Sequence, residues 1–119
     1  MRDREKLSLA IRNLIDNSIK YTRTGGQITV SVWPEEGFLR IRVKDNGIGV
    51  PEKDKGLLFN KFYRAQNAVR FQTEGSGLGL YFVKSIIDKH NGSLMVESEE
   101  GKGSAFTISL PLDHAHMPA

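Results

Sequence analysis

Asn13, Asn17 and Lys20 recur at i, i+4 and i+7, which at about 100° per residue places them in one stripe of a helix. At about 1.5 Å of rise per residue the stripe runs about 10 Å along the axis, comparable to a metal-bound polyphosphate. An asparagine carbonyl oxygen is a neutral ligand that can complete the shell of a hard cation such as magnesium (Mg2+), with phosphate oxygens and waters supplying the rest. Lys20 at the end of the stripe offers a point charge for a phosphate. A solvated helix face is the plainer reading of the same residues, although two mid-helix asparagines run against helix propensity.

Two glycine-punctuated stretches add to this. In residues 45–50, DNGIGV, Gly47 and Gly49 permit positive φ and a close approach of backbone to a flat ligand. Asp45 can accept a hydrogen bond from an exocyclic amine such as adenine N6, and Ile48 can pack on a base. An Asx turn with no ligand is the alternative; the acidic spacing of a calcium loop is absent. In residues 75–80, Gly75, Ser76, Gly77, Leu78, Gly79 and Leu80 open a helix. Free backbone N–H groups and the positive dipole end there favour an anion such as phosphate. Small residues serving helix packing are the rival. No lysine followed by Ser or Thr closes a P-loop here, and a dinucleotide fingerprint needs a preceding strand. Between the two stretches, Lys61 and Arg64 are either phosphate contacts or surface charges, and Phe59 and Phe62 have the character of core residues.

The elements that must position these residues follow from periodicity. Leu7, Ile11, Leu14, Ile15 and Ser18 mark an amphipathic helix over residues 3–21, with the asparagine stripe opposite its apolar face and Gly25 and Gly26 stopping it. Alternating runs at 27–33 and 38–44, separated by Pro34, Glu35, Glu36 and Gly37, predict a hairpin. Pro51 fits the first turn of a short helix that presents Leu57, Leu58 and Phe59 to the core and ends before Phe62. Residues 64–75 lack a period and read as a lid over a site. Leu78, Phe82, Val83, Ile86 and Ile87 mark a second long helix, closed by Asn91 and Gly92, and a last hairpin pairs 93–98 with 104–110. The tail after Pro111 is expected to be unstructured. The sum is an α+β fold, a two-layer sandwich with about three helices on one face of a mixed, mainly antiparallel sheet.

Composition narrows the function classes. A length of 119 residues suits one domain, and 39% apolar with 26% charged residues suits a folded one. Seventeen basic against 14 acidic residues leave a net charge of only +3, without the aromatic interleaving of a nucleic-acid platform. No apolar run approaches the roughly 20 residues of a membrane span, and no apolar signal-peptide core opens the chain. There is no cysteine, so disulfides and thiolate zinc sites are excluded.

NLIDNSIKYT, DNGIGV, LFNKFYR and GSGLGL, in this order and spacing, resemble the N, G1, F and G2 boxes of the sensor histidine kinase ATP-binding domain. The closing GSLMVESEEGKGSAFTISLPL is similar to that family too. Its superfamily (GHKL, the Bergerat fold) also holds type II topoisomerases, Hsp90 and MutL, but the F box is typical of the kinases. The resemblance implies that Asn17 ligates magnesium beside Asn13, that Lys20 lies near the phosphates and that Tyr21 lies against the nucleotide. It also implies that Asp45 reads the adenine amine, that Gly47, Ile48 and Gly49 shape the pocket, and that Lys61, Phe62 and Arg64 belong to the ATP site, with Arg64 reaching the terminal phosphate. Gly75, Ser76, Gly77, Leu78, Gly79 and Leu80 would embrace the phosphates, and Ser104 matches a Ser/Thr near the adenine end. The implied activity is binding of Mg-ATP and donation of its γ-phosphate to a histidine on a separate dimerisation domain, with a response-regulator receiver downstream. A cytoplasmic setting and a monomeric fragment go with it. His90, His114 and His116 do not match the phosphoacceptor motif, and the family's usual strand ahead of the first helix has no counterpart, so one sheet edge is expected to be missing or supplied from upstream. A regulatory pseudokinase is the first rival. A topoisomerase- or chaperone-type ATPase is the second, although no glutamate precedes Asn17 in Asn13, Leu14, Ile15, Asp16 to activate water.

Overall fold

The first helix, α1 (Arg2–Lys20), follows its apolar period. Ala10, Leu14 and Ser18 are buried, and Leu7, Ile11 and Ile15 pack around them. Tyr21 N still donates to Asn17 O (3.2 Å), and Gly25 at φ 87° then turns the chain. These and the following elements come from a computed structural model that describes residues 2–60 and 79–112.

Strands β1 (Ile28–Glu35) and β2 (Phe38–Asp45) form the first hairpin. Its turn is tighter than the sequence suggests: only Glu36 (φ 52°) and Gly37 (φ 83°) lie between the strands. Positive φ at both central positions is the turn whose twist matches paired strands. Pro34 does not interrupt β1 but sits opposite Leu39, because β1 is at the edge of the sheet among the described residues, where a missing N–H can face away from the sheet.

Pro51 leads into a 3-10 turn, Glu52–Leu57. Leu58 is buried and Phe59 meets Phe106 edge-on, with centroids 6.5 Å apart at 74°. Leu57, expected in the core, is instead 43% exposed, since neighbours in a three-per-turn helix point about 120° apart. Helix α2 (Gly79–Lys89) buries Val83, Ile86 and Ile87. Asn91 takes the left-handed position (φ 59°) and Gly92 N returns to Ile87 O at 3.0 Å, closing the helix as expected. His90 Nδ1 lies 2.8 Å from Ile86 O, a capping arrangement.

Strands β3 (Ser93–Glu99) and β4 (Gly103–Pro111) make the second hairpin within a residue of expectation. The order is β1-β2-β4-β3, antiparallel throughout the described residues. On one face Ile41, Val43, Phe106, Ile108 and Leu94 are buried in one core with Leu14, Val83, Ile86 and Ile87 of the helices. On the other, Arg42 pairs with Glu97 at 2.8 Å and Arg40 Nη1 donates to Ser109 Oγ at 2.7 Å. The layering is the predicted α+β sandwich. Val30 and Val32 share the helix-side phase of Val43 and Ile41 yet are 45% and 60% exposed, so among the described residues the helices leave β1 uncovered. Leu112 N donates to Gly37 O (2.8 Å), and the tail beyond it lies outside the described residues.

Candidate nucleotide-binding site

At one end of the sheet three polar residues occupy positions that alternation reserves for the core. Asp45 continues the phase of Ile41 and Val43, Ser104 that of Ile108 and Phe106, and Ser98 that of Leu94 and Val96. The register puts them in one row, Asp45 opposite Ser104 and Ser104 opposite Ser98. Asp45 Oδ1 accepts from Gly47 N (2.9 Å) and from Ser104 N (3.3 Å). Ser98 Oγ accepts from Val50 N (2.7 Å), donates to Gly103 O (2.9 Å) and touches Ser104 Oγ (2.8 Å).

The loop leaving β2 is bound on every side. Asn46 Oδ1 accepts from Gln27 N at 2.8 Å, Ile48 N donates to Tyr21 O at 3.1 Å and Gly101 N donates to Ile48 O at 2.7 Å. Two positions there require glycine. A Cβ on Gly49, whose φ is 70°, would run into the Glu99 carbonyl, and one on Gly47 would run into that of Tyr21. The close approach at both glycines is to neighbouring protein backbone.

Asn13 and Asn17 are half-buried and Lys20 is exposed. The stripe flanks the buried row of Ala10, Leu14 and Ser18 instead of opposing it, because Asn13 and Asn17 each precede a buried residue by one position, or about 100°. Neither asparagine side chain is engaged with another described residue. The Lys20 ammonium lies 5.8 Å from the centre of the Tyr21 ring. Because Ile48 N donates to Tyr21 O, the end of α1 and the loop of Asp45 meet at one corner. Gly79 begins α2 and is exposed, and a Cβ there would meet nothing within 4 Å, so packing among the described residues does not demand glycine. Ser104 is 9% exposed and lies opposite Asp45. Lys61, Phe62, Arg64, Gly75, Ser76, Gly77, Leu78 and the lid predicted at 64–75 lie outside the described residues, as do His114 and His116. Sequence reasoning missed Ser98 and Gly103. The available signal was a polar residue in phase with a strand's apolar face.

The model of the histidine kinase-, DNA gyrase B- and HSP90-like ATPases matches residues 2–114. The chain belongs to that family. Among relatives, the sensor histidine kinase WalK of Bacillus subtilis is 41% identical over 111 residues, covering 92% of this chain and 18% of WalK. The solved mycobacterial sensor histidine kinase MprB superposes with a TM-score of 0.81 at 32% identity, covering 90% of this chain and 72% of that one. Full-length ShkA in complex with AMPPNP superposes with a TM-score of 0.75 at 28% identity, covering 89% of this chain and 21% of that one. The chain therefore spans less than a fifth of WalK. As a histidine kinase-type ATPase domain it is an ATP-binding domain of two-component signalling. No helix among the described residues is long and apolar enough to cross a membrane.

Proposed function

We propose that this chain binds Mg-ATP between the asparagine flank of α1, the loop of residues 45–50 and the start of α2, and that it donates the γ-phosphoryl group to a histidine on a separate dimerisation domain. The observation that carries the reading is Asp45. Two backbone N–H groups saturate its Oδ1, which leaves Oδ2 as an anionic acceptor beside a loop that glycines hold close to its neighbours. That is the chemistry that recognises an adenine amine.

The donor set fits magnesium only as part of a nucleotide complex. Among the described residues no group of three His, Asp or Glu side chains converges as a metal site, whereas Asn13 and Asn17 offer neutral amide oxygens one turn apart. Asn17, with Asn13 beside it, would supply oxygen to the ion, with phosphate oxygens and waters supplying the rest. When bound, the ion neutralises charge on the transferred group. Lys20 adds a positive charge at the helix end, and the proposed roles of Lys61 and Arg64, and of Gly75, Ser76, Gly77, Leu78, Gly79 and Leu80, are to hold the phosphates. Phe62 and Tyr21 would flank the nucleotide and Ile48 the base. Catalysis by this chain is then positioning and electrostatics, with the attacking imidazole aligned from another domain. A response-regulator receiver domain would take the phosphoryl group onward, in the cytoplasm.

The test is to incubate the chain with labelled Mg-ATP and a separately supplied dimerisation domain of a sensor histidine kinase. Acid-labile phosphate on its histidine is the expected result. Nucleotide binding without transfer to any such domain would leave a regulatory module, and brisk hydrolysis without a partner would mark an ATPase.

A further inference from the structure

The row at the end of the sheet contains more information than the position of Asp45. Ser98 has one hydroxyl hydrogen and two lone pairs, and three partners. Val50 N–H can only donate to it (2.7 Å) and the Gly103 carbonyl can only accept from it (2.9 Å). Its one hydrogen is then spent, so the 2.8 Å contact with Ser104 is attractive only when Ser104 is the donor. The reverse arrangement would set the Ser98 and Gly103 oxygens lone pair to lone pair at 2.9 Å, at a cost comparable to losing a hydrogen bond.

Ser104 has therefore given away its hydrogen, and both of its lone pairs face outward from the pair. Asp45 Oδ2 is likewise an acceptor, because Oδ1 already takes the two N–H groups. The end of the row presents acceptors only. We infer that Ser98, through the direction it imposes on the Ser104 hydroxyl, is a positioning residue that makes the site select a 6-amino purine over a 6-oxo purine. The inference rests on the nucleotide-site reading above and deepens it: base selection is written in a hydroxyl that does not touch the base.

With Ser98→Ala the Ser104 hydroxyl is released and can rotate to donate to a 6-oxo group. The probe pair is ATP and inosine triphosphate, which carries a carbonyl at C6 and a proton on N1. Calorimetry of the chain with magnesium should give an ATP preference that falls about fivefold in Ser98→Ala, the worth of one net hydrogen bond, and that Ser98→Thr restores. A purely structural role would weaken both nucleotides in equal proportion, so an unchanged preference ratio in Ser98→Ala overturns the inference while leaving the site intact. So would a wild-type chain that binds both equally. Binding of neither nucleotide by the wild type refutes the site reading itself, and this inference with it. Should Ser98→Ala not fold, Ser98→Cys keeps the side chain's shape with a weak donor and acceptor, and the same fall is expected.

Discussion

Asp45→Asn removes a charge without removing a heavy atom, which makes it the sharpest probe of the site. The amide oxygen can still accept from Gly47 N and Ser104 N, as Asp45 Oδ1 does at 2.9 and 3.3 Å. Those two donors also fix the orientation, since the flipped rotamer would face them with an NH2. The amide NH2 of the variant therefore stands where Oδ2 was and confronts the adenine amine, donor against donor. A hydrogen bond to a charged group is worth about 1.5–3 kcal/mol, so the dissociation constant for Mg-ATP should rise between about tenfold and a hundredfold. The fold should tolerate the change, because a neutral acceptor replaces a charged one at a half-buried position. A loss of about 1 kcal/mol corresponds to about 4 °C in Tm for a chain of this length. Titration calorimetry with ATP and a thermal melt of the same sample make the measurement. An unchanged affinity in a folded variant would refute the role given to Asp45.

Three further changes test the parts that hold the site. Gly49→Ala should combine a positive-φ penalty of about 1–2 kcal/mol with collision against the Glu99 carbonyl, lowering Tm by at least about 4–8 °C and weakening ATP binding, both read on one preparation. Leu14→Ala removes a fully buried side chain from the junction of the two layers and should cost roughly 2–5 kcal/mol, measured by urea unfolding with little change in the slope. Ser18→Ala should stabilise: Ser18 is 1% exposed and its Oγ has no hydrogen-bond partner among the described residues, so removing the hydroxyl relieves a desolvation penalty of about 1 kcal/mol and Tm should rise by about 4 °C.

The helices and both hairpins were legible because their signals are local: a 3.6-residue period in α1 and α2, alternation in the strands, and Asn91 with Gly92 at a helix end. Errors arose where a local rule met a tertiary position. Pro34 reads as a strand breaker, but an edge strand accommodates it; Leu57 reads as core, but the tight turn gives the core to Leu58. The asparagine stripe was found while its angular placement was not, because the buried side of α1 includes Ala10 and Ser18, which hydrophobicity alone undervalues. Asp45 is legible from its glycine-punctuated loop, whereas Ser104 rests on motif resemblance alone. Ser98 was passed over because a serine in a strand is ordinarily an outward residue, and only the register shows that it shares a row with the other two.

The double attachment of Ile48, whose N–H goes to the end of α1 and whose carbonyl takes the Gly101 N–H of the β3–β4 turn, has a consequence for dynamics. The first bond ties the loop to the end of α1 and the second ties it to the β3–β4 turn, so opening either one leaves the other to hold the loop in place. Their hydrogen exchange with solvent deuterium should be slower than that of turn amides with no such bond, and faster than that of the buried Val43 and Phe106 amides. The purine end would then be held in place before any nucleotide arrives, with little ordering entropy left to lose there on binding.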